Sequence, residues 1–290
     1  MMERKPVVFG ADYASYTTKL NYEQCKYRLY LMGDKEANRD LVEIFPPMHR
    51  GLVLHKAMEL FFTEGRMADF DELHRFALQP SRDNVDWGSK KLVFYEPYDP
   101  DRYYYELELE LKAFQKALPE LELPEYKEVR CEWELERTFE GTKFQGHIDI
   151  AFKLKSGRWI CADLKTGKYD PHSEQFLLYN WMANGFLRFP FPFFIFHWDG
   201  NQIRRHTVYH RLGDKEPKLM RLLWEMKEIN QHLSEAQQAI TEGKHPASVL
   251  RPNTKNFTCH RHRCSFFGIC PYGAQRKQEA QDATDNGDME

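Results

Sequence analysis

The chain has 290 residues, of which 42% are hydrophobic and 29% charged, and a formal net charge of −3; that suits one large core, or a core with a small appended module. No apolar run approaches bilayer length and Met1–Gly10 lacks the long apolar stretch of a secretory leader, so a cytoplasmic, nucleoid-associated protein with no membrane partner is expected. The charge balance does not announce a nucleic-acid binder, although Lys26 with Arg28 and His260–Arg263 form local basic patches.

Along the chain, residues 22–32 and 48–63 read as helices, the second with Gly51, His55, Met58 and Phe62 on one face. Residues 66–100 are rich in Asp, Pro and Tyr and read as an irregular insertion or lid, followed by a helix over 102–117. Residues 129–139, 143–154 and 158–164 then alternate, with breaks at Glu140-Gly141 and Ser156-Gly157, which predicts a three-stranded antiparallel meander. Asp170-Pro171 caps a helix running to about Leu187. Residues 192–198 and 202–210 read as strands joined at Asp199-Gly200, and a long helix covers 214–243. The resulting division is an N-terminal helical segment (1–65), an insertion and helical region (66–128), a core (129–245), a Cys-rich segment (246–276) and a polar tail (277–290) expected to be disordered.

The chemistry concentrates in the meander. In Phe144-Gln145-Gly146-His147-Ile148-Asp149-Ile150, alternation puts Phe144, Ile148 and Ile150 on one face and Asp149 on the other. In Trp159-Ile160-Cys161-Ala162-Asp163-Leu164-Lys165, Ile160, Ala162 and Leu164 form the core face, and Asp163 and Lys165 point away from it. Neighbouring strands lie about 4.8 Å apart, so Asp149 and Asp163 can reach one divalent ion. Two carboxylates holding Mg²⁺ or Mn²⁺, with a nearby Lys to stabilise developing charge, suit phosphodiester hydrolysis. The Leu164 backbone carbonyl is a further candidate oxygen ligand.

An acidic-x-Lys tripeptide alone says nothing, because Glu3-Arg4-Lys5, Glu110-Leu111-Lys112, Glu125-Tyr126-Lys127, Glu216-Pro217-Lys218 and Glu225-Met226-Lys227 also match. Only Asp163-Leu164-Lys165 ends an apolar strand, follows a Gly-x-x-Asp strand and precedes a helix. Gly146-His147-Ile148-Asp149, then Asp163-Leu164-Lys165-Thr166-Gly167, then Gln175-Phe176-Leu177-Leu178-Tyr179 resembles the PD-(D/E)XK superfamily in its RecB-type branch. The resemblance implies an α/β, restriction-endonuclease-like core, in which a central mixed sheet is flanked by helices. It implies a metal-dependent DNA nuclease, most naturally an exonuclease acting on single-stranded or end-containing DNA in repair, recombination, phage replication or CRISPR adaptation. Asp149, Asp163 and Lys165 are then catalytic, and Gln175 and Tyr179, four apart on one helix face, contact DNA.

Gly51-Leu52-Val53-Leu54-His55 resembles the branch's N-terminal Gly-x-x-x-His helix, whose His is a metal ligand; a core His bonded to a carbonyl would look the same. Glu134 or Glu132 could add an acid, and the regular run Glu132, Glu134, Glu136 equally fits a solvated strand face. Of six cysteines, Cys131 and Cys161 lie in strand-like runs and read as inert core residues. Cys25, Cys259, Cys264 and Cys270 match the one-before, three-after arrangement of CRISPR-associated and AddB-type relatives, which implies a [4Fe–4S] cluster joining the chain ends. Four residues separate Cys259 from Cys264, two of them His, where the pattern has two, so Zn²⁺ is an alternative at these cysteines. The chain carries no P-loop, so unwinding would need a helicase or a recombination or CRISPR partner protein. A non-catalytic DNA-binding subunit and a structural zinc protein are the competing readings.

Overall fold

The computed structural model describes residues 7–34, 42–79, 90–95, 98–167, 174–184, 193–208, 212–255, 259, 264–266 and 270–273. The Asp170-Pro171 cap, the His260–Arg263 patch and the tail beyond 277 lie outside them. Helices α1 (Tyr16–Gln24) and α2 (Lys26–Gly33) lead to a short strand β1 (Val42–Ile44) and to α3 (Pro46–Glu64). Prolines occupy the first turn of α3, where no amide donor is needed, and Gly65 closes it in the left-handed region at φ 65°.

The region expected to be irregular is not. It holds α4 (Phe70–Leu78) and β2 (Lys90–Leu92), which pairs in parallel with β1. Asp69 caps α4 by accepting from the Glu72 amide, an Asp-x-x-Glu start signal that the surrounding composition obscured. Helix α5 (Pro100–Ala117) begins the same way, Asp99 accepting from the Arg102 amide.

Strands β3 (Tyr126–Phe139), β4 (Thr142–Leu154), β5 (Trp159–Lys165), β6 (Phe193–Trp198) and β7 (Ile203–Val208) form one sheet in that order. All neighbours are antiparallel except β5 and β6, whose parallel pairing is bridged by α6 (Glu174–Asn184). Helix α7 (Leu212–Thr241) and a short α8 (Pro246–Val249) follow. This is the mixed sheet flanked by helices that the motif resemblance implies.

Both faces of the sheet are covered. Helices α6 and the first half of α7 bury one face through Phe176, Met182, Leu222 and Met226. Helices α3, α4 and α5 bury the other through Val53, Met58, Leu73, Leu107 and Phe114. A third core, under α1 and α2, takes Leu29, Met32, Ile44 and the second half of α7, with Cys25, Cys264 and Cys270 at its margin. Phe144 and Ile148 do share a face, but Ile150 does not join them. Ile150 and Phe152 pack on the α3 side whereas Phe144, Ile148 and Ala151 pack on the α6 side. The alternation of β4 therefore slips by one residue at Asp149.

A buried polar chain ties α3, α4 and α5 together. Tyr103 Oη donates to the Pro46 carbonyl (2.9 Å), so it accepts from His49 Nδ1 (2.8 Å), leaving His49 Nε2 to accept from His74 Nδ1 (3.0 Å). Burial first, then the neighbouring His74, push His49 down to about 4, and burial also lowers His74. As pH falls below about 6.5 the unfolded chain takes up protons that the folded chain refuses. Stability is thus complete above that value and is lost as pH falls toward 4, at up to about 1.4 kcal/mol per pH unit for His49. Denaturant unfolding of wild type and His49→Gln at about pH 7 and about pH 5 should show the larger acid-induced loss in wild type; equal losses contradict the assignment.

Candidate active site

Strands β4 and β5 are hydrogen-bonded partners only between Lys153/Trp159 and Ile150/Ala162. Beyond that point β4 stays with β3, through Ile148/Trp133 to Thr142/Phe139, and the β4–β5 pair opens into a fork. At its mouth the Asp149 carboxylate accepts the Leu164 amide at 2.7 Å, a side chain replacing a ladder bond. Opposite Asp149 on β3, Glu132 has φ 47°, a left-handed conformation costing a non-glycine residue about 1–3 kcal/mol. Helix α3 faces the same place, with His55 Nδ1 3.4 Å from Asp149 Oδ2. His55, Glu132 and Asp149 each offer a ligand atom, and these atoms all lie within 4.8 Å of one another.

Asp163 lies beside this trio and is 2% exposed. Enclosure, followed by the charge of Asp149, raises its carboxyl well above the usual carboxylate range against the opposing pull of Lys165. Lys165 Nζ is 2.5 Å from Asp163 Oδ2, yet that oxygen receives no well-directed hydrogen bond. The same ammonium donates to Gln175 Oε1 (3.5 Å), and Gln175 Nε2 donates to Tyr179 Oη (3.0 Å). The Gln175 amide is thereby held with its oxygen toward Lys165.

Several residues hold this geometry from outside. Arg50, five residues before His55 on α3, donates to the Thr166 carbonyl just past Lys165 and to Glu110 on α5. Glu110 also takes the Trp198 indole N–H (2.6 Å). Lys19 on α1, 7% exposed, reaches Glu174 at the head of α6 and Glu225 on α7, both at 3.5 Å. A Cβ added to Gly146 would stand 2.7 Å from Met182 and 2.8 Å from Tyr179, so the glycine lets α6 settle on β4.

The structure brings His55, Asp149, Asp163, Lys165 and Gln175 to one fork. Leu164 touches the site through its N–H, which donates to Asp149. Tyr179, expected to face DNA, is 7% exposed and packs near Phe193, so its contact with the site runs through Gln175. Of the two acids left open, Glu132 joins the trio, while Glu134 is exposed and accepts from Gln145. Sequence alternation alone could not separate them, since it places both on one face. Arg50 and Lys19 carried no motif signal at all.

Cys25, Cys259, Cys264 and Cys270, from opposite parts of the sequence, line one cavity. Burial raises the Cys264 thiol, with the Phe266 amide and the Arg28 charge pulling the other way. Burial raises Cys270 too, against hydrogen bonds from the Gly273 and Tyr272 amides, and the Asn253 amide donates to Cys25 Sγ (3.5 Å). Cys131 is pushed up to about 12 by burial and Cys161 is fully enclosed, as inert core thiols should be.

The PD-(D/E)XK nuclease superfamily model matches residues 13–271 of this chain. No curated protein matches. Solved structures that align with it include a candidate exonuclease from Eubacterium rectale, 14% identical with a TM-score of 0.40 over 81% of this chain and 84% of that one. The protein SSO0001 is 15% identical, with a TM-score of 0.30 over 88% and 96% of the two chains. Protein VC1899 from Vibrio cholerae is 10% identical, with a TM-score of 0.25 over 78% and 58%.

Two carboxylates and an imidazole are a donor set that fits a divalent metal ion, and the enclosed Asp163 carboxylate stands beside them. Glu132→Gln should weaken Mn²⁺ binding by about tenfold or more in a calorimetric titration, while Glu134→Gln leaves it unchanged. Equal behaviour of the two variants would remove Glu132 from the site.

Proposed function

The chain belongs to the PD-(D/E)XK nuclease superfamily, and from that premise we propose that it is a Mg²⁺- or Mn²⁺-dependent deoxyribonuclease, an exonuclease acting on single-stranded or end-containing DNA. The observation that carries this reading is the fork itself: an enclosed Asp163, paired to Lys165, beside the His55–Glu132–Asp149 trio. His55, Glu132, Asp149 and Asp163 would hold the ion, with the Leu164 carbonyl as a further oxygen. When bound, such an ion supplies polarisation of the scissile phosphate and a water acidic enough to attack it.

The chain's own groups do the rest. Asp163 anchors the Lys165 ammonium at the fork mouth, where it can stabilise charge developing on phosphate oxygens. Gln175 steadies that ammonium from the other side and, half-buried at the head of α6, offers its amide to the strand; Tyr179 fixes the amide's orientation. Asp149, by taking the Leu164 amide, keeps the two strands at the separation the site needs. The chain carries no P-loop in its sequence, so a helicase, recombination or CRISPR partner would deliver the strand, in repair, recombination, phage replication or CRISPR adaptation. Among the described residues no helix is long and apolar enough to cross a membrane.

At the cysteines the same proposal places a [4Fe–4S] cluster. Four thiols around one cavity give the right count, and main-chain N–H groups pointing at three of the sulfurs are the hydrogen bonds that stabilise thiolates in such centres. Zinc held by the same thiols is the alternative. The cluster segment, 246–276, would clip the chain's end to α2 and leave 129–245 as the nuclease core.

Asp163→Asn and Lys165→Ala should each slow release of nucleotides from end-labelled DNA by about 100-fold or more, with melting temperatures close to wild type. Unaffected activity in either would contradict the site. Anaerobically purified protein should absorb in the visible, and Cys264→Ser should lose both the colour and stability. Colourless protein with stoichiometric zinc would replace the cluster by Zn²⁺, and stable metal-free protein would remove both.

A further inference from the structure

A cavity of about 350 Å³ opens at the start of α3, outside the fork and outside the cysteine cavity. Phe45, Pro47, Met48, Tyr95, Tyr98 and Arg28 line it. Its walls are unusual for a surface: Met48 is 41% and Tyr98 44% exposed. The Phe45 and Tyr95 rings stand 5.7 Å apart at 47°, forming an open V. Tyr98 is buttressed edge-to-face by Tyr103 (6.4 Å, 89°), and Tyr103 is itself fixed by the Pro46 carbonyl and His49. Prolines at 46 and 47 stiffen the floor. The platform is aromatic and buttressed, with Tyr98 as its exposed ring.

One cation serves it. Arg28 lies between this cavity and the cysteine cavity, and its Nε is buried without an acceptor. The neighbouring carboxylate of Glu43 is already engaged, accepting from Tyr95 Oη (3.1 Å). Flat apolar faces with a single guanidinium suit a nucleobase and its phosphate, because every base has a face to stack and the cation tracks the backbone. The size agrees, since small-ligand clefts begin at about 300 Å³.

The position of the groove connects it to the fork. Met48 and His55 are seven residues apart, two turns, and so share one face of α3. Gly51 lies between them on that face, where an added Cβ would come within 3.8 Å of Thr166; the glycine leaves the track bare. The span from Met48 to His55 is about 10 Å along the axis, or about three nucleotides at the 3.4 Å rise of a stacked strand.

We propose that this groove is a base-stacking subsite for single-stranded DNA, holding the base two or three nucleotides from the phosphate in the fork. The proposal rests on the nuclease reading above and adds where the strand runs: from the fork along α3 toward the cysteine module.

The test is a fluorescent oligodeoxythymidylate, bound with Ca²⁺ in place of Mg²⁺ to keep it uncut, carrying one abasic position moved stepwise from the cleavage point. Affinity should fall most with the gap two or three nucleotides away, by about 5- to 100-fold, the worth of one base–aromatic stack. Tyr98→Ala should weaken the intact strand by a similar factor and abolish the position dependence, while Tyr98→Phe retains both. Met48→Glu, at an exposed position, should also weaken binding without lowering the melting temperature. A flat abasic profile, or wild-type affinity in Tyr98→Ala, overturns the subsite while cleavage by the wild type leaves the nuclease reading standing. Wild-type protein that neither binds nor cuts the intact strand overturns both.

Discussion

Asp163 is enclosed at the end of β5 with the Asp149 carboxylate beside it and one ammonium, Lys165, to offset the pair. Two nearby negative charges in a low-dielectric setting repel strongly, and a single lysine cannot compensate both. The arrangement persists because the surrounding structure over-determines it. Asp149 is tied to the Leu164 amide, Lys165 to Gln175, and the chain beyond Lys165 to Arg50. His55 and the strained Glu132 stand beside Asp149 with ligand atoms within 4.8 Å of one another, a grouping that could hold a metal ion.

Much of the remaining architecture follows from holding that fork open. The slip in β4 at Asp149 lets one strand feed the core on the α3 side and then the core on the α6 side. Main-chain pairing is given up locally and replaced by a carboxylate, which keeps the buried amide satisfied. Helix α6 can lie close only because residue 146 has no side chain. Lys19 pins the head of α6 to α1 and α7. Helix α7 packs on the sheet with its first half and under the cysteines with its second, so one helix spans both regions.

The parts legible in the sequence were those where a period and a punctuation mark coincide. The meander is announced by alternation broken at Glu140-Gly141 and Ser156-Gly157, and the glycines at 141 and 157 do take positive φ. The β6–β7 hairpin follows the same logic, with Gly200 at positive φ. Strands β1 and β2, three residues each, are too short to show a period, and α4 was hidden in a stretch whose Asp and Pro content suggests loop. The one-residue slip at Asp149 was invisible because strict alternation is the assumption behind the reading. For the same reason Glu132 could not be told from Glu134: only a left-handed backbone at 132 separates them. Tyr179 was on the expected face, but how deeply α6 would sink depended on Gly146.

The most direct test of the account is a crystal soaked in Mn²⁺ and measured for anomalous scattering. The account predicts one strong peak, or a close pair, within ligand distance of His55, Glu132, Asp149 and Asp163, at the point where β4 and β5 separate. A fork that stays empty at saturating Mn²⁺, or a peak bound elsewhere with Asp163 still paired only to Lys165, would contradict it.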